Sequence, residues 1–374
     1  MAEALKNVYD VPFINGLATQ LREAWDGFEE ARFLGLIWTD DWKDSPLKTR
    51  MRIITRALGR CLPERYSDAL EILYRFDQTC KGLPYLIFPD FVEQFGQAPE
   101  DWDVSMRALA RFTRGSSSEF AVRPFLIRDP ERMMQQMRRW AEDDDEHLRR
   151  LASEGCRPRL PWGQALVMFK QDPSPIIPVL ELLKEDDSLY VRKSVANNLN
   201  DIVKDHPELV KELAARWFGV HPHTDWIIRH GCRTLIRRDD PQTLALFGYS
   251  AEQEGLAAAA ALTLSHDEAA IGDQIELAYE LRVREGEAVR VRVEYAISFI
   301  KSSGRSTDKR FLLSDRTVEG GTRLSGKRKH SWADLSTRKH YPGPHRIRLL
   351  VNGTPVAEAQ LNLLSQAEVR GEQE

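Results

Sequence analysis

The sequence predicts a mainly α protein in which a helical-repeat solenoid is followed by a small all-β sandwich. Apolar residues recur at helical spacing from about residue 10 to about residue 250, and a degenerate repeat runs through the same stretch. Near residue 255 the hydrophobic period changes from about 3.6 to about 2. No strand pattern alternates with the helices, which argues against an α/β dinucleotide-binding fold.

The helical region contains a weak internal repeat. Two aliphatic residues, a base, an acid and a proline follow one another within 126–130, 202–207 and 235–241. These copies and a second set, at 147–150, 190–193 and 226–229, recur at multiples of roughly 35–43 residues, the period of helical pairs in solenoids of the HEAT type. We therefore predict HEAT-like repeats, with each proline in a loop or in the first turn of the next helix.

Alternating apolar residues predict strands after residue 255. Val289, Val291 and Val293 alternate with charged neighbours, and Asn352-Gly353 has the composition of a tight hairpin turn. Six or seven short strands in about 110 residues fit an immunoglobulin-like sandwich. The predicted organisation is a helical body at 1–253, a linker at 254–260, the sandwich at 261–366 and a flexible tail at 367–374.

The net charge of −4 hides a strongly basic stretch in the β region. Between Lys301 and Arg348 there are 13 lysines and arginines against four acids. A loop is predicted at Lys327-Arg328-Lys329, the densest part, and such a patch is typical of proteins that bind a phosphate backbone. A solvated surface with accidental clustering would have the same composition.

Basic residues also recur at similar points of successive helical repeats. Equivalent positions of a solenoid lie along one surface, so these residues predict a basic track for a nucleic acid. They are Arg149, Arg150, Arg157, Arg159, Arg192, Lys193 and Arg229.

Several classes of enzyme are disfavoured because their motifs are missing. The sequence contains no GxxxxGK[ST] phosphate loop, no HExxH, no GxSxG and no paired-cysteine zinc pattern. The residues His221, His223, Asp225 and His230 could bind a metal, but histidines in a turn between helices are more often surface or capping residues. We expect neither a metal nor a cofactor.

The cysteine pattern and the hydropathy predict a cytoplasmic protein without a membrane partner. The four cysteines are scattered, which fits a reducing compartment. The first residues lack the pattern of a secretory signal, and no apolar stretch approaches the roughly 20 residues that cross a bilayer.

Two glutamates stand out as candidate site residues. Glu119 has capping-box spacing from Ser116, so starting a helix is its default role. Glu154 precedes Gly155 at a predicted helix end, where the helix dipole disfavours negative charge. A local rule broken in this way points to function.

Asp201 and Trp162 each allow two interpretations. Asp201 could simply pair with Lys204, which follows three residues later on the same predicted helix. Trp162 lies beside prolines and could be a core residue. The local sequence alone leaves both open.

Four segments together resemble the AlkC branch of the AlkC/AlkD family of DNA alkylation-repair glycosylases. The resemblance covers nearly the whole chain, including the immunoglobulin-like region that distinguishes AlkC from AlkD. The segments are SSSEFAVRPFLIRDPE at 116–131, SEGCRPRLPW at 153–162, YVRKSVANNLNDIVKDHPE at 190–208 and IIRHGCRTLIRRDDPQTLALFGY at 227–249.

The resemblance implies a monomeric bacterial enzyme that holds bent double-stranded DNA and associates with the nucleoid when bound. It also implies excision of cationic N3-methylated bases, 3-methyladenine and 3-methylcytosine, without base flipping. The matching positions make Glu119, Glu154 and Asp201 catalytic, and Trp162 a contact to the lesion or its sugar. The DNA backbone is expected to contact Arg150, Arg157, Arg159 and Arg192 in the helical body and Lys327, Arg328 and Lys329 in the β region.

The chemistry of such lesions fits a site made of carboxylates. A cationic base leaves without a general acid, and carboxylates can stabilise the oxocarbenium-like sugar that remains. The competing hypothesis is a non-catalytic HEAT-type scaffold that the basic β region tethers to nucleic acid or to a protein partner. A metal-dependent hydrolase or nuclease is a third possibility.

Overall fold

The computed structural model describes residues 5–249, 255–335 and 338–365. The chain forms two compact units, Met1–Cys232 and Arg233–Glu374. The predicted tail at 367–374 lies outside the described residues, as does residue 254 at the start of the predicted linker.

The first unit is built from α-helices joined by turns and by longer loops, two of which lie at 113–122 and 156–166. Their bounds are α1 Val11–Ala24, α2 Glu30–Ile37, α3 Leu47–Cys61, α4 Tyr66–Tyr74, α5 Ile87–Phe95, α6 Trp102–Phe112, α7 Arg123–Arg128, α8 Pro130–Ala141, α9 Glu146–Gly155, α10 Val167–Gln171, α11 Ile177–Leu183, α12 Leu189–Ile202, α13 Pro207–Trp217 and α14 Pro222–Gly231. Single 3-10 turns lie at Asp40–Trp42, Asp77–Thr79, Leu83–Leu86, Pro99–Asp101 and Ser174–Ile176.

The repeated proline motif marks helix starts, as predicted. Pro130 and Pro207 are the first residues of α8 and α13. A proline fits there because the first turn of a helix needs no backbone donor. The acid before Pro130 caps its helix, since the Asp129 carboxylate accepts from the backbone N–H of Arg132 at 3.1 Å. The equivalent Asp205 instead pairs with Arg159.

Helices α9, α12 and α14 pack side by side in the first unit. Ser153 Oγ donates to Ser194 Oγ at 2.6 Å, and Asn198 Nδ2 donates to the Ser153 carbonyl at 2.8 Å. A side chain on Gly231 would collide with Leu199, so glycine allows the close approach of α14. This packing fixes the C-terminal turns of α9 and α12 beside each other.

The second unit contains two short helices and the predicted β-sandwich. Their bounds are α15 Arg233–Arg237, α16 Pro241–Leu246, β1 Ala257–Leu264, β2 Glu268–Ala270, β3 Gln274–Val283, β4 Val289–Ile300, β5 Ser306–Val318, β6 Arg323–Ser331, β7 Gly343–Val351 and β8 Thr354–Leu364. One sheet has the order β1-β3-β6 and the other β2-β8-β7-β4-β5. The hairpin predicted at Asn352-Gly353 is present, with positive φ angles of 47° and 88°.

The boundary between the units differs from the predicted one. Strand β1 starts at Ala257, inside the predicted linker 254–260, and α15 and α16 belong with the sandwich rather than with the helical body. Asp239 accepts two hydrogen bonds from Arg310 at 2.8 and 2.9 Å. Tyr249 also donates to Asp315 at 2.7 Å. Helical periodicity could not show this because it does not tell which core a helix packs against.

The basic segment Lys327-Arg328-Lys329 lies in strand β6, so the prediction of a loop is wrong. Strand β6 forms an edge of the three-stranded sheet. Only Leu324 and His330 of this strand are buried. An edge strand with so few buried apolar residues has no clear alternation in its sequence.

The described residues contain no helix long and apolar enough to cross a membrane. The four cysteines are buried and unbridged.

Three buried histidines lie in the sandwich core around Phe299 and Trp332. His345 lies edge-on to Trp332, with ring centres 4.8 Å apart, and His330 Nδ1 lies 3.1 Å from the Tyr295 hydroxyl. Burial lowers the pKa of His330 to about 4 and also lowers the pKa of His345. These side chains are therefore neutral in the folded sandwich at neutral pH.

We expect acid to destabilise the sandwich between about pH 6.5 and pH 4. Unfolded histidine takes up a proton near pH 6.5, whereas folded His330 does not until about pH 4, so falling pH favours the unfolded state. This one group should cost about 3 kcal/mol of stability at the acid end. In calorimetric scans of the full chain, the unfolding temperature of the sandwich should decrease as the pH is lowered over this range.

The matched comparison is His330→Phe against His266→Gln. His330→Phe should make the unfolding temperature of the sandwich less dependent on pH. The substitution His266→Gln, at an exposed position, should leave that dependence unchanged. An unaltered acid shift in His330→Phe would contradict the assignment.

Candidate functional site

The predicted carboxylates lie in one continuous series of ion pairs, here called the ionic chain. Glu119 pairs with Nη1 of Arg150, whose Nη2 lies 3.6 Å from Glu154. Arg157 Nη1 lies 2.6 Å from Glu154, and its Nε lies 2.9 Å from Asp201. Lys204 Nζ closes the series at 3.0 Å from Asp201. The members are Glu119, Arg150, Glu154, Arg157, Asp201 and Lys204, so three carboxylates meet three cations.

Glu119 does not serve as part of a capping box. Helix α7 begins at Arg123, and the preceding segment forms turns. Buried Ser118 holds that segment, because its hydroxyl donates to the Leu109 carbonyl at 2.8 Å. Glu119 instead accepts from the Ser117 hydroxyl at 2.9 Å and pairs with Arg150. The capping interpretation was therefore wrong, and the carboxylate is directed towards α9.

Glu154 lies in the last turn of α9, as predicted, and is buried. The unfavourable helix dipole there is offset by Arg150 one turn earlier and by Arg157 just after the helix. Asp201 occupies the corresponding last turn of α12. It pairs with Lys204, as the simpler interpretation predicted, but also with Arg157, which local sequence could not reveal.

Apart from Lys204, the members of the ionic chain are largely removed from solvent. Burial alone would lower the pKa of Arg157, but Glu154 and Asp201 outweigh it and raise that pKa above its ordinary value. Arg157 was predicted to contact DNA, whereas here its guanidinium lies between two carboxylates and is 7% exposed. Its position joins the two helix ends into one charged unit.

A pocket of about 470 Å³ adjoins one end of the ionic chain. Glu119, Glu154 and Arg157 line it, whereas Asp201 lies behind Arg157. The rest of the lining is mainly apolar and includes Leu83, Leu86, Phe120, Leu160, Pro161 and Trp162.

Trp162 is not a core residue. Its side chain is 61% exposed, and its backbone has a φ angle of +63°, which is rare for a residue other than glycine. A large exposed indole beside buried carboxylates favours the predicted functional interpretation over the structural one.

Arg159 and Arg192 are also engaged within the protein. Arg159 makes a two-bonded pair with Asp205 at 3.1 and 2.7 Å. Arg192 donates to the carbonyls of Asp186 and Asp187 in the turn before α12. Arg149 binds two carbonyls before α9 in the same way. The recurrence of these arginines thus has a structural reason, and their predicted contacts to DNA stay a prediction.

The histidines considered as metal ligands have other roles. His221 caps α14, with Nδ1 accepting from the His223 N–H at 3.2 Å, and His230 stacks on Trp226. Asp225 accepts from the Gly219 N–H. Within the described parts of the chain, no three His, Cys, Asp or Glu side chains are grouped to hold a metal ion.

Two residues beside the pocket, Arg123 and Lys48, were not predicted from the sequence as part of the site. Arg123 is an isolated charge in an otherwise apolar run, a signal that could have been noticed. It is buried, and its Nη1 donates to the carbonyls of Gly155 and Arg157, both at 3.0 Å. Lys48 donates to the Trp162 carbonyl from 114 residues away, a contact that no local pattern predicts.

The protein therefore belongs to a two-part class. A helical-repeat unit carries the ionic chain beside a pocket, and an immunoglobulin-like sandwich follows it. Residues 113–235 match the family described as DNA alkylation repair enzyme. Residues 258–365 match the C-terminal Ig-like domain described for the uncharacterised protein YhaZ.

Full-length comparisons agree with both matches. The chain is 45% identical to the uncharacterized protein YhaZ of Bacillus subtilis (strain 168) over 93% of its length and 96% of that protein. It also resembles Pseudomonas fluorescens alkylpurine DNA glycosylase AlkC, solved bound to DNA containing an abasic site analog. That match has a TM-score of 0.90 and 36% identity, covering 96% of this chain and 99% of the other. The chain belongs to the AlkC branch of the DNA alkylation repair enzyme family.

Proposed function

We propose that this protein is a monofunctional DNA glycosylase that hydrolyses the N-glycosidic bond of cationic N3-methylated bases in duplex DNA. The substrates proposed are 3-methyladenine and 3-methylcytosine. The observation that carries the proposal is a set of three carboxylates, buried Glu154 and Asp201 and half-buried Glu119, of which Glu119 and Glu154 line a pocket beside the exposed Trp162. Excision without base flipping comes from the family resemblance in the sequence.

The proposed reaction places charge where the carboxylates lie. The glycosidic bond breaks, its electron pair leaves with the base, and the positive charge moves from the base to the sugar. Water then adds to the anomeric carbon and loses a proton, which leaves a free base and an abasic site. A carboxylate about 4 Å from the cationic sugar contributes about 4 kcal/mol at an effective dielectric near 20. Two or three carboxylates thus suffice for an activated leaving group.

The arginines of the ionic chain supply the link between DNA binding and this chemistry. In the free protein, Arg150 and Arg157 neutralise the carboxylates that they contact. DNA phosphates compete for the same guanidinium groups, since Arg binds phosphate well. We propose that this competition leaves Glu119, Glu154 and Asp201 free to face the cationic sugar.

The sandwich is proposed to bind the DNA backbone through its basic strand β6. Of the three predicted contacts there, Lys327 and Lys329 share one exposed face of the strand and are proposed to contact phosphates, whereas Arg328 is exposed but points to the opposite face. Both units would then bind DNA, and base excision would take place in the first unit. No cofactor is proposed, and the protein is expected to act as a monomer.

Incubation of the purified protein with methylated duplex DNA should release free 3-methyladenine, with or without EDTA. Chromatography of the released bases checks this result. DNA binding without release would favour the non-catalytic scaffold. Release that stops with EDTA and returns with zinc or magnesium would favour a metal-dependent enzyme.

A further inference from the structure

Lys48 lies behind the pocket and contacts two of its walls. Its Nζ donates to the carbonyl of Trp162 and lies 3.9 Å from the centre of the Phe120 ring. Both Trp162 and Phe120 line the pocket that Glu119 and Glu154 face. Lys48 itself lines a separate cavity on the other side of Phe120. Its charge is thus directed at the pocket wall and not into the pocket.

The positive charge of Lys48 is electrostatically unfavourable at its place in the helix, and its contacts to Trp162 and Phe120 offset this cost. It is the second residue of α3, where the helix dipole disfavours positive charge. Burial lowers its pKa as well, although Glu93 and Asp90 act in the opposite direction. Those two carboxylates are engaged by Arg52 at 2.6 and 2.8 Å. The ammonium of Lys48 therefore remains available for the Trp162 carbonyl.

Trp162 needs such support because of its backbone conformation. A φ angle of +63° is strained for tryptophan and persists only where surrounding contacts enforce it. Arg123 binds the carbonyls of Gly155, Arg157 and Gln164, at the two ends of the 155–164 segment. Lys48 binds the carbonyl of Trp162 itself, near the tip.

We propose that Lys48 is a positioning residue that fixes the backbone of Trp162 and the ring of Phe120 before DNA binds. The inference rests on the proposed glycosylase function for its kinetic consequence, but the contact itself does not depend on that function. A wall fixed in advance would hold the indole against the lesion or its sugar, so that the carboxylates meet the reacting carbon in a constant geometry.

The test compares Lys48→Met with Lys48→Arg and Arg56→Met. Methionine keeps an unbranched apolar side chain over Phe120 but removes the ammonium, and arginine restores a donor. Arg56→Met removes a cation from the same helix and the same cavity without touching the Trp162 carbonyl. Amide hydrogen exchange of residues 158–164 in the free protein reports on the loop without any substrate.

Lys48→Met should raise exchange in 158–164 severalfold, while Lys48→Arg and Arg56→Met should not. With saturating enzyme, Lys48→Met should slow single-turnover excision about tenfold and leave the Kd for abasic-site DNA within about twofold. In a Trp162→Ala background, Lys48→Met should cause a much smaller further loss, because the indole that Lys48 positions is already absent and only its effect on Phe120 remains.

Unchanged exchange in Lys48→Met would overturn the proposal. So would a weaker Kd with an altered salt dependence and a normal saturated rate, which would make Lys48 a DNA contact. Additive rate losses in the double variant would also overturn it. If the unaltered protein released no methylated base, the proposed function would fall, and the exchange result alone would decide whether Lys48 holds the loop.

Discussion

Asp201→Asn and Glu119→Gln should each slow base excision on the order of a hundredfold. The affinity for DNA should stay within a few fold, because the cationic sugar exists only in the transition state. Single-turnover excision of 3-methyladenine measures the rate, and binding to DNA with an abasic-site analog measures the affinity.

Both substitutions are chosen to keep the geometry of the ionic chain. The amide introduced by Asp201→Asn retains an oxygen that can accept from Arg157 Nε, and the amide introduced by Glu119→Gln retains one for Ser117 and Arg150. Deleting a partner outright would leave a buried cation unpaired, which typically costs about 3–5 kcal/mol. The amides remove negative charge with a smaller loss of stability, and thermal unfolding checks that loss.

Asp205→Asn is the matched control for this pair. Asp205 lies one turn beyond Asp201 and pairs with Arg159, but it lies outside the pocket and outside the ionic chain. Its substitution should leave the excision rate within about twofold. Rate and affinity falling together in Asp201→Asn and Glu119→Gln would mean that these carboxylates are structural.

The helix starts and the hairpin could be predicted because their causes are local. A proline fixes φ and lacks an N–H, so Pro130 and Pro207 favour the first turn of a helix wherever the chain lies in space. Asn352-Gly353 favours positive φ at both residues in the same way.

Local rules singled out Glu154 alone, and the other site residues were predicted only through the family resemblance. Glu154 at the end of α9 conflicts with the helix dipole, and that conflict is visible in the sequence. Glu119 misled because its spacing from Ser116 fits a capping box, while distant contacts to Leu109 and Arg150 decide the fold of this segment.

The remaining site features depend on tertiary contacts that leave no local trace. The backbone of Trp162 is strained by the packing of its loop, and Lys48 reaches it from another helix. The separate pairing of Arg157 with Asp201 joins residues 44 positions apart. Spacing rules for one helix cannot register such pairs, which is why both Asp201 and Trp162 stayed open from sequence alone.

Replacing Lys327 and Lys329 together by alanine should make DNA binding less dependent on salt. Their side chains share one face of β6, because successive residues of a strand point to opposite faces. One DNA backbone can therefore contact both, but not Arg328 with them. Each phosphate neutralised contributes about −0.9 to the slope of log K against log salt, so the double variant should reduce that slope by about 0.9 if Glu276 keeps Lys327 from the DNA and by about 1.8 if both lysines contact phosphates. Its affinity deficit should then shrink by about threefold to tenfold between 50 and 200 mM salt.

Two further variants on the same strand pair give opposite controls. Arg328 faces the other sheet, where it approaches the Tyr295 hydroxyl, so Arg328→Ala should leave the salt slope unchanged. Glu276 holds Lys327 Nζ at 2.9 Å from the neighbouring strand β3. Glu276→Gln should release that lysine, tighten DNA binding and steepen the slope by up to about 0.9. Equal slopes in the double variant, in Glu276→Gln and in the unaltered protein would mean that β6 is not a DNA-binding element and that its basic residues are ordinary surface.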